Sequence, residues 1–160
     1  GIRDDLVTGV QTCALPIFER RPGRRADSHS ISLDSYYFIR GLKRYALFGY
    51  TYRVDDAEAN RYDYESHAIK LRYVHRATLG TLPIELELET KIEDRQYKSP
   101  DPVISTERED TRMRFSGEIR LLLTDYASIA LHLRNSDYES NVETASYNDL
   151  VVGTEFRLSF

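Results

Sequence analysis

Three acidic side chains alternate with leucines in LPIELELETKIE, residues 82–93, and are the first candidates for chemistry. Glu85, Glu87 and Glu89 have the residue type that general acid–base catalysis uses. Lysine and arginine residues occupy equivalent positions in this and neighbouring stretches, which favours ion pairs over a catalytic pair. We therefore predict structural carboxylates here and no enzymatic activity.

A second candidate is a nucleophile with its base. Ser128, His132 and Ser136 fall on one face of a predicted strand, so successive members of this set lie ~13 Å apart at a rise of ~3.3 Å per residue. Direct contact between a nucleophile and its base requires a much shorter distance. A partner from an adjacent strand could supply that contact, but the pattern favours structural polar residues.

Metal and cofactor motifs are absent from the sequence. The histidines at positions 29, 67, 75 and 132 lack metal-ligand spacing. The acidic run at residues 55–58 lacks the glycine and the final bidentate glutamate of a calcium loop. There is neither a glycine-rich phosphate loop nor a nucleophile elbow. We expect no metal and no cofactor.

Composition narrows the class of protein. The 160 residues carry a net charge of −4, which argues against a general nucleic-acid binder. No stretch approaches the ~18 apolar residues of a membrane helix, whereas a membrane strand needs only ~9–11 residues, with alternate ones apolar. Twelve tyrosines and six phenylalanines favour strands. The single cysteine, Cys13, excludes a disulfide within the chain.

Residues 1–17 (GIRDDLVTGVQTCALPI) differ from the rest of the chain, because they lack its alternation and do not fit a signal peptide. They resemble the translated sequencing-adapter read-through at the ends of gene fragments, which implies a non-native leader. A disordered leader or a piece of upstream loop is the alternative. Residues 18–27 (FERRPGRRAD) predict a basic loop.

From Ser28 onward, apolar residues recur with a period of two. We predict an all-β fold: an antiparallel up-and-down meander of about seven long strands, at residues 28–40, 45–54, 65–76, 82–93, 110–123, 127–138 and 148–160. Short connections (41–44, 77–81, 124–126) alternate with long ones (55–64, 95–109, 139–147), as is typical of transmembrane β-barrels with short periplasmic turns. A soluble antiparallel β-domain remains the alternative, since it also has one apolar face.

The polar face of these strands carries charges of both signs, which predicts cross-strand ion-pair ladders along a barrel lumen. The predicted lumen-facing charges are Lys70, Arg72, Glu85, Glu87, Glu89, Arg112, Arg114, Glu118, Arg120, Arg134, Glu155 and Arg157. Aromatic residues near both ends of the strands predict interface girdles. The predicted girdle residues are Tyr37, Tyr45, Tyr50, Tyr52, Tyr73 and Tyr126.

The last strand, NDLVVGTEFRLSF, is apolar at every second residue back from a terminal phenylalanine. It resembles the closing strand of bacterial outer-membrane β-barrels, in which this strand is also the signal read by the barrel assembly machinery. The resemblance assigns that signal to Val152, Thr154, Phe156, Leu158 and Phe160. It implies a Gram-negative outer membrane, with its lipid and its assembly machinery as partners.

The stretches GYTYRVDDAEANRYDYESHAIKLRY, EREDTRMRF and RNSDYESNVETASYNDLVVGTEFRLSF resemble C-terminal barrels linked to tetratricopeptide repeats, such as surface lipoprotein assembly modifiers. The resemblance covers about residues 28–160 and implies transport or export of envelope or surface components. A non-conducting structural or surface-binding barrel is the alternative. Because such barrels usually have even strand counts, seven strands predict that further strands lie upstream.

Overall fold

The fold, in a computed structural model that describes residues 6–14, 26–57, 59–102 and 104–159, is a single antiparallel sheet. Its eight strands pair in sequence order, and in this part of the chain the first strand does not pair with the last. The strands are β1 Leu6–Ala14, β2 Ala26–Phe38, β3 Arg44–Ala57, β4 Tyr64–Leu79, β5 Leu82–Pro100, β6 Glu107–Leu122, β7 Ala127–Ser140 and β8 Tyr147–Leu158. The predicted all-β, up-and-down antiparallel meander is confirmed for β2 to β8.

β1 is not among the predicted strands. Its backbone pairs with β2 in antiparallel fashion, Leu6 opposite Tyr37 and Ala14 opposite His29. Periodicity gives no signal there because the segment does not alternate. The assignment of residues 1–17 as a non-native leader stays a prediction. Most of the predicted loop at residues 18–27 lies outside the described residues, and β2 already begins at Ala26.

The strands continue further than predicted at the end with the long connections. β5 runs to Pro100, so the connection predicted at residues 95–109 shrinks to residues 101–106. The other two long connections shrink to residues 58–63 and 141–146, while the short ones occupy residues 39–43, 80–81 and 123–126. The sequence has no apolar alternation at these charged strand ends, so it does not predict them. They belong to the strands because their backbones pair, as where Arg95 lies opposite Asp110.

The two faces of the sheet differ in exposure. On the apolar face, even central side chains are exposed: Leu131 is 51% exposed and Ile119 is 47% exposed. The buried apolar residues in the described part of the chain are Leu47, Ala68, Val74, Ala130 and Val142. All but the loop residue Val142 lie on the opposite side of the sheet, which carries Arg72, Arg120 and Glu155 and which we call the charged face. No second layer therefore covers the apolar face in this part of the chain.

The charged face is the concave face of the sheet. Arg120 of β6 and Glu155 of β8 approach to 3.7 Å across the intervening β7. The β7 residue between them in the pairing is Ala130, which is buried. A small side chain at this position lets the two long charged ones meet above it. A pocket of about 410 Å³, lined by residues of β4 to β8, follows the same concavity.

Gly80 lies in the tightest turn, between β4 and β5, with a φ of +63°. Residues with a Cβ are disfavoured in this left-handed region, and asparagine tolerates it better than most. We expect Gly80→Ala to lower the free energy of unfolding by about 1 kcal/mol. Urea titration of the folded protein measures the change, and Gly80→Asn is the matched control. Equal losses in the two variants would contradict this explanation.

Candidate functional site

The concave face collects the predicted lumen-facing charges. The pairing of β4 to β8 places all twelve of them on this side of the sheet, the charged face. Most side chains on this side are half-buried or buried, as with Glu93, which is 8% exposed, whereas Arg134 and Arg157 are exposed. Alternation fixes this placement, because no register shift interrupts the strand pairing at these twelve positions. The register shift between β5 and β6 lies beyond them, between Gln96 and Pro100.

The ion pairs between β4 and β5 follow the predicted cross-strand ladder. Arg72 lies opposite Glu89 and binds it at 2.6 Å, while also reaching Glu87 at 3.3 Å. Further along the same two strands, Arg76 lies opposite Glu85 and pairs with it. These three carboxylates are therefore ion-paired in the structure.

Other charges pair along a single strand, two residues apart, which the sequence pattern does not predict. Glu93 binds Lys91 at 2.7 Å and Arg95 at 2.6 Å. Residues two apart share a face, so long side chains reach each other without depending on the neighbouring strand. The remaining pairs of this kind are Arg53–Asp55, Arg108–Asp110, Arg120–Glu118 and Arg157–Glu155.

The predicted ladder between β5 and β6 fails at two arginines. Neither Arg112 nor Arg114 has a carboxylate within 4.0 Å among the residues that the structure describes. Arg112 lies opposite Glu93, but Lys91 and Arg95 already occupy that carboxylate. Arg114 lies opposite Lys91, a residue of the same charge.

A hydrogen-bonded cluster lies on the charged face at the end of the sheet where the long connections join the strands. We call it the rim network: Arg108, Asp110, Tyr138 and Ser140. Asp110 is 2% exposed and accepts hydrogen bonds from Arg108 at 2.8 Å, from the Ser140 hydroxyl at 2.6 Å and from the Tyr138 hydroxyl. Arg108 also stacks over the ring of Tyr97, 5.1 Å from its centroid. The sequence pattern misses this network, because it places Arg108 in a loop and Asp110 at a strand end.

The rim network shifts the ionisation of its own members. Burial by itself raises the pKa of Asp110, but the hydrogen bonds from Arg108, Ser140 and Tyr138 outweigh burial and leave that pKa below its ordinary value. Burial, followed by the hydrogen bond to Asp110, raises the pKa of Tyr138 to about 12. Asp110 is therefore charged and Tyr138 neutral at neutral pH.

The predicted aromatic girdle residues fall in three places. Tyr37, Tyr50, Tyr52 and Tyr73 lie on the apolar face, with Tyr50 hydrogen-bonded to His67 at 2.7 Å. Tyr126 lies exposed in the turn before β7. Tyr45 instead lies on the charged face, where it packs against Tyr36 and Phe38 at centroid distances of 6.3 and 5.9 Å. Its odd position in β3 puts it on the side of Leu47 and not of Phe48.

The predicted assembly-signal residues form the exposed apolar edge of the sheet. Val152, Thr154 and Phe156 lie opposite Leu133, Leu131 and Ile129 of β7, and Leu158 continues the row. Phe156 is 61% exposed. The fifth member, Phe160, lies outside the described residues.

The catalytic candidates are placed among structural contacts. His132 lies opposite Gly153, where an added Cβ would come within 2.5 Å of its Nε2. Its other cross-strand neighbour is Glu118, which is paired with Arg120. No group of three or more potential metal ligands occurs among the described residues.

Comparisons with protein-family models, curated proteins and solved structures find no match. In the described part of the chain, no helix has the length and apolar character needed to cross a membrane.

Proposed function

We propose that the chain forms part of a transmembrane β-barrel of the Gram-negative outer membrane, with its charged face toward the lumen. The observation that carries this proposal is the exposure of the apolar face together with the greater burial of the charged one. A water-soluble sheet buries its apolar face against a second layer. A membrane barrel has the opposite arrangement, with apolar residues toward lipid and polar residues inside.

The height of the apolar face supports the proposal. On β5, the outward side chains are apolar or uncharged from Leu82 to Ile92 and become charged at Asp94. At a rise of ~3.3 Å per residue, ten residue steps extend ~33 Å, and a tilt of ~40° reduces this to a height of ~25 Å, the thickness of the apolar band of membrane barrels. The rim network lies beyond this band, in our proposal on the extracellular side.

The proposed role is transport or export of envelope or surface components, because the concave charged face supplies a polar lining for a conduit. Outer-membrane lipid and the barrel assembly machinery are the proposed partners, with β8 as the assembly signal. In a bilayer, the free edge of β8 needs a partner strand, since unpaired backbone groups are costly in lipid.

A non-conducting surface-binding barrel is the second candidate, favoured by the aromatic pair Tyr138 and Tyr147 at the rim. Their rings stack at 5.2 Å, and Tyr147 is half exposed. Such a pair offers a flat apolar surface to a ligand outside the membrane.

Two measurements test these proposals. The chain, refolded with detergent and inserted into phospholipid vesicles, should show a folded form that migrates differently from the heated form on a denaturing gel. A monodisperse folded protein in buffer without detergent would contradict the membrane proposal. Planar-bilayer recordings then separate the two roles: stable conductance is expected for transport, and an inserted but sealed protein would favour the surface-binding barrel.

A further inference from the structure

Three arginines on the charged face, Arg112, Arg114 and Arg134, have no ion-pair partner among the described residues. We propose that they form a binding site for phosphate-class oxyanions on the wall of the lumen. The inference rests on the proposed function in so far as this face lines a barrel. It adds a ligand class, which the fold alone does not give.

The three side chains are neighbours. Arg112 and Arg114 are two residues apart on β6 and share a face. Arg134 of β7 lies opposite Ser116, so it is the diagonal neighbour of Arg114, within reach of a long side chain. A ligand at Arg114 therefore has a second arginine on either side, Arg112 along β6 and Arg134 across on β7.

The carboxylates nearest to Arg112 and Arg114 are already ion-paired. Glu93 is bound by Lys91 and Arg95, and Glu89 is bound by Arg72 at 2.6 Å. Binding to Glu93 would require Arg112 or Arg114 to displace a partner at 2.6–2.7 Å. The cationic excess is thus local and is not cancelled by the chain's net negative charge.

Pairs of like charge make the excess larger. Arg114 lies opposite Lys91, and Lys91 lies opposite Lys70. Like charges in directly opposed positions destabilise a sheet. Although Lys70 has Asp34 at 3.4 Å, Arg114 receives no such compensation from the described residues, so a bound anion would relieve the repulsion at this position.

The hydrogen-bonding state of two arginines indicates what kind of anion fits. The Nε atoms of Arg112 and Arg114 are buried and have no acceptor among the described residues. A buried donor without an acceptor is costly. A guanidinium group offers Nε–H and Nη–H as a fork that matches two oxygens of one phosphate or carboxylate group. Phosphate, with several oxygens, can serve two or three such forks at once.

The surroundings allow access to the site. Arg134 is exposed and lines the pocket of about 410 Å³ on the concave face. The pocket also contains Arg72 and Ser116, which lie in the same cross-strand row as Arg134. Its other charged lining residues are four glutamates that are ion-paired with Arg72, Arg120 or Arg157: Glu87, Glu89, Glu118 and Glu155. An oxyanion can therefore reach Arg134 from the concave side, and Arg114 is its diagonal neighbour on β6.

Binding of pyrophosphate to the refolded full chain in detergent, followed by calorimetry at fixed ionic strength, tests the proposal. The triple variant R112Q/R114Q/R134Q should bind at least about tenfold more weakly than the unaltered chain, since charge-assisted hydrogen bonds are lost. The matched control is R76Q/R120Q/R157Q, which removes three ion-paired arginines from the same face with the same change in net charge. We expect a change below about threefold in this control.

Equal weakening in the two triple variants, or no binding of pyrophosphate by the unaltered chain, would overturn the proposal. If the first triple variant does not fold, R134Q alone decides, because Arg134 is exposed and has no ion-pair partner among the described residues. An R134Q affinity equal to that of the unaltered chain then counts against the site. Membrane insertion is measured separately on the same samples. If the protein inserts but does not bind pyrophosphate, only the oxyanion site is contradicted. If it binds pyrophosphate but folds without detergent, the membrane proposal is contradicted.

Discussion

Leu131→Arg is expected to lower the free energy of unfolding in phospholipid vesicles by about 2–4 kcal/mol, the cost of arginine at the middle of the lipid face of a barrel. Leu131 points outward from β7, is 51% exposed and lies opposite Ile119 and Thr154. In a soluble sheet, an exposed leucine can be replaced by arginine at little cost, usually within ~0.5 kcal/mol. The size of the loss in unfolding free energy therefore shows whether the apolar face contacts lipid or water.

Asn148→Arg is the matched control for that substitution. Asn148 lies on the same face of the neighbouring strand β8, opposite Asp137 and in the cross-strand row of Ile92, where the apolar band ends. We expect a change of about 0–1 kcal/mol there, the range near the membrane interface. Urea titration of both variants in the same vesicles gives the comparison. Similar, small losses at the two positions would contradict a lipid-facing band.

Asp110→Ala is expected to lower the free energy of unfolding by about 3 kcal/mol, because breaking a buried charge pair strands the remaining partner. The carboxylate is 2% exposed and accepts hydrogen bonds from Arg108, Tyr138 and Ser140. Its loss leaves these groups without their acceptor at the rim. Urea titration of the refolded protein measures the loss, and hydrogen exchange locates it at the ends of β6 and β7.

Asp137→Ala is the matched control, since Asp137 lies on β7 near the same end and is exposed. A change within ~0.5 kcal/mol is expected for such a surface position.

The pH dependence of stability gives a second test of the role of Asp110. Because the pKa of Asp110 is lowered by folding, its stabilisation is fully present above 3.8, its ordinary value, and is lost as the pH falls through the lower folded value. An Asp110→Ala variant that keeps the acid sensitivity of the unaltered chain would contradict this role.

Sequence alone determined the strand order, the central parts of β2 to β8 without their charged ends, and the face on which each predicted lumen charge lies. The physical reason is that side chains alternate with a period of two, so any residue in an uninterrupted strand has its side fixed by parity. Lys70, Glu87 and Arg120 could be assigned to one face without knowing which strand pairs with which. The same rule places Tyr45 on the charged face. Its assignment to the aromatic girdle considered only its position near a turn and not the side on which an odd position of β3 lies.

Only the tertiary structure decided which charges are partners. Glu93 could pair with Arg112 across the sheet or with Lys91 and Arg95 along its own strand, and the sequence contains all three cations. The choice between these partners depends on side-chain rotamers and on the curvature of the sheet. The apolar–polar periodicity of the sequence encodes neither. The same holds for Asp110, whose burial comes from backbone pairing of the charged strand ends. Curvature brings Arg120 to Glu155 across a whole strand, and Arg112 and Arg114 are left without a carboxylate among the described residues because the nearby ones are paired elsewhere.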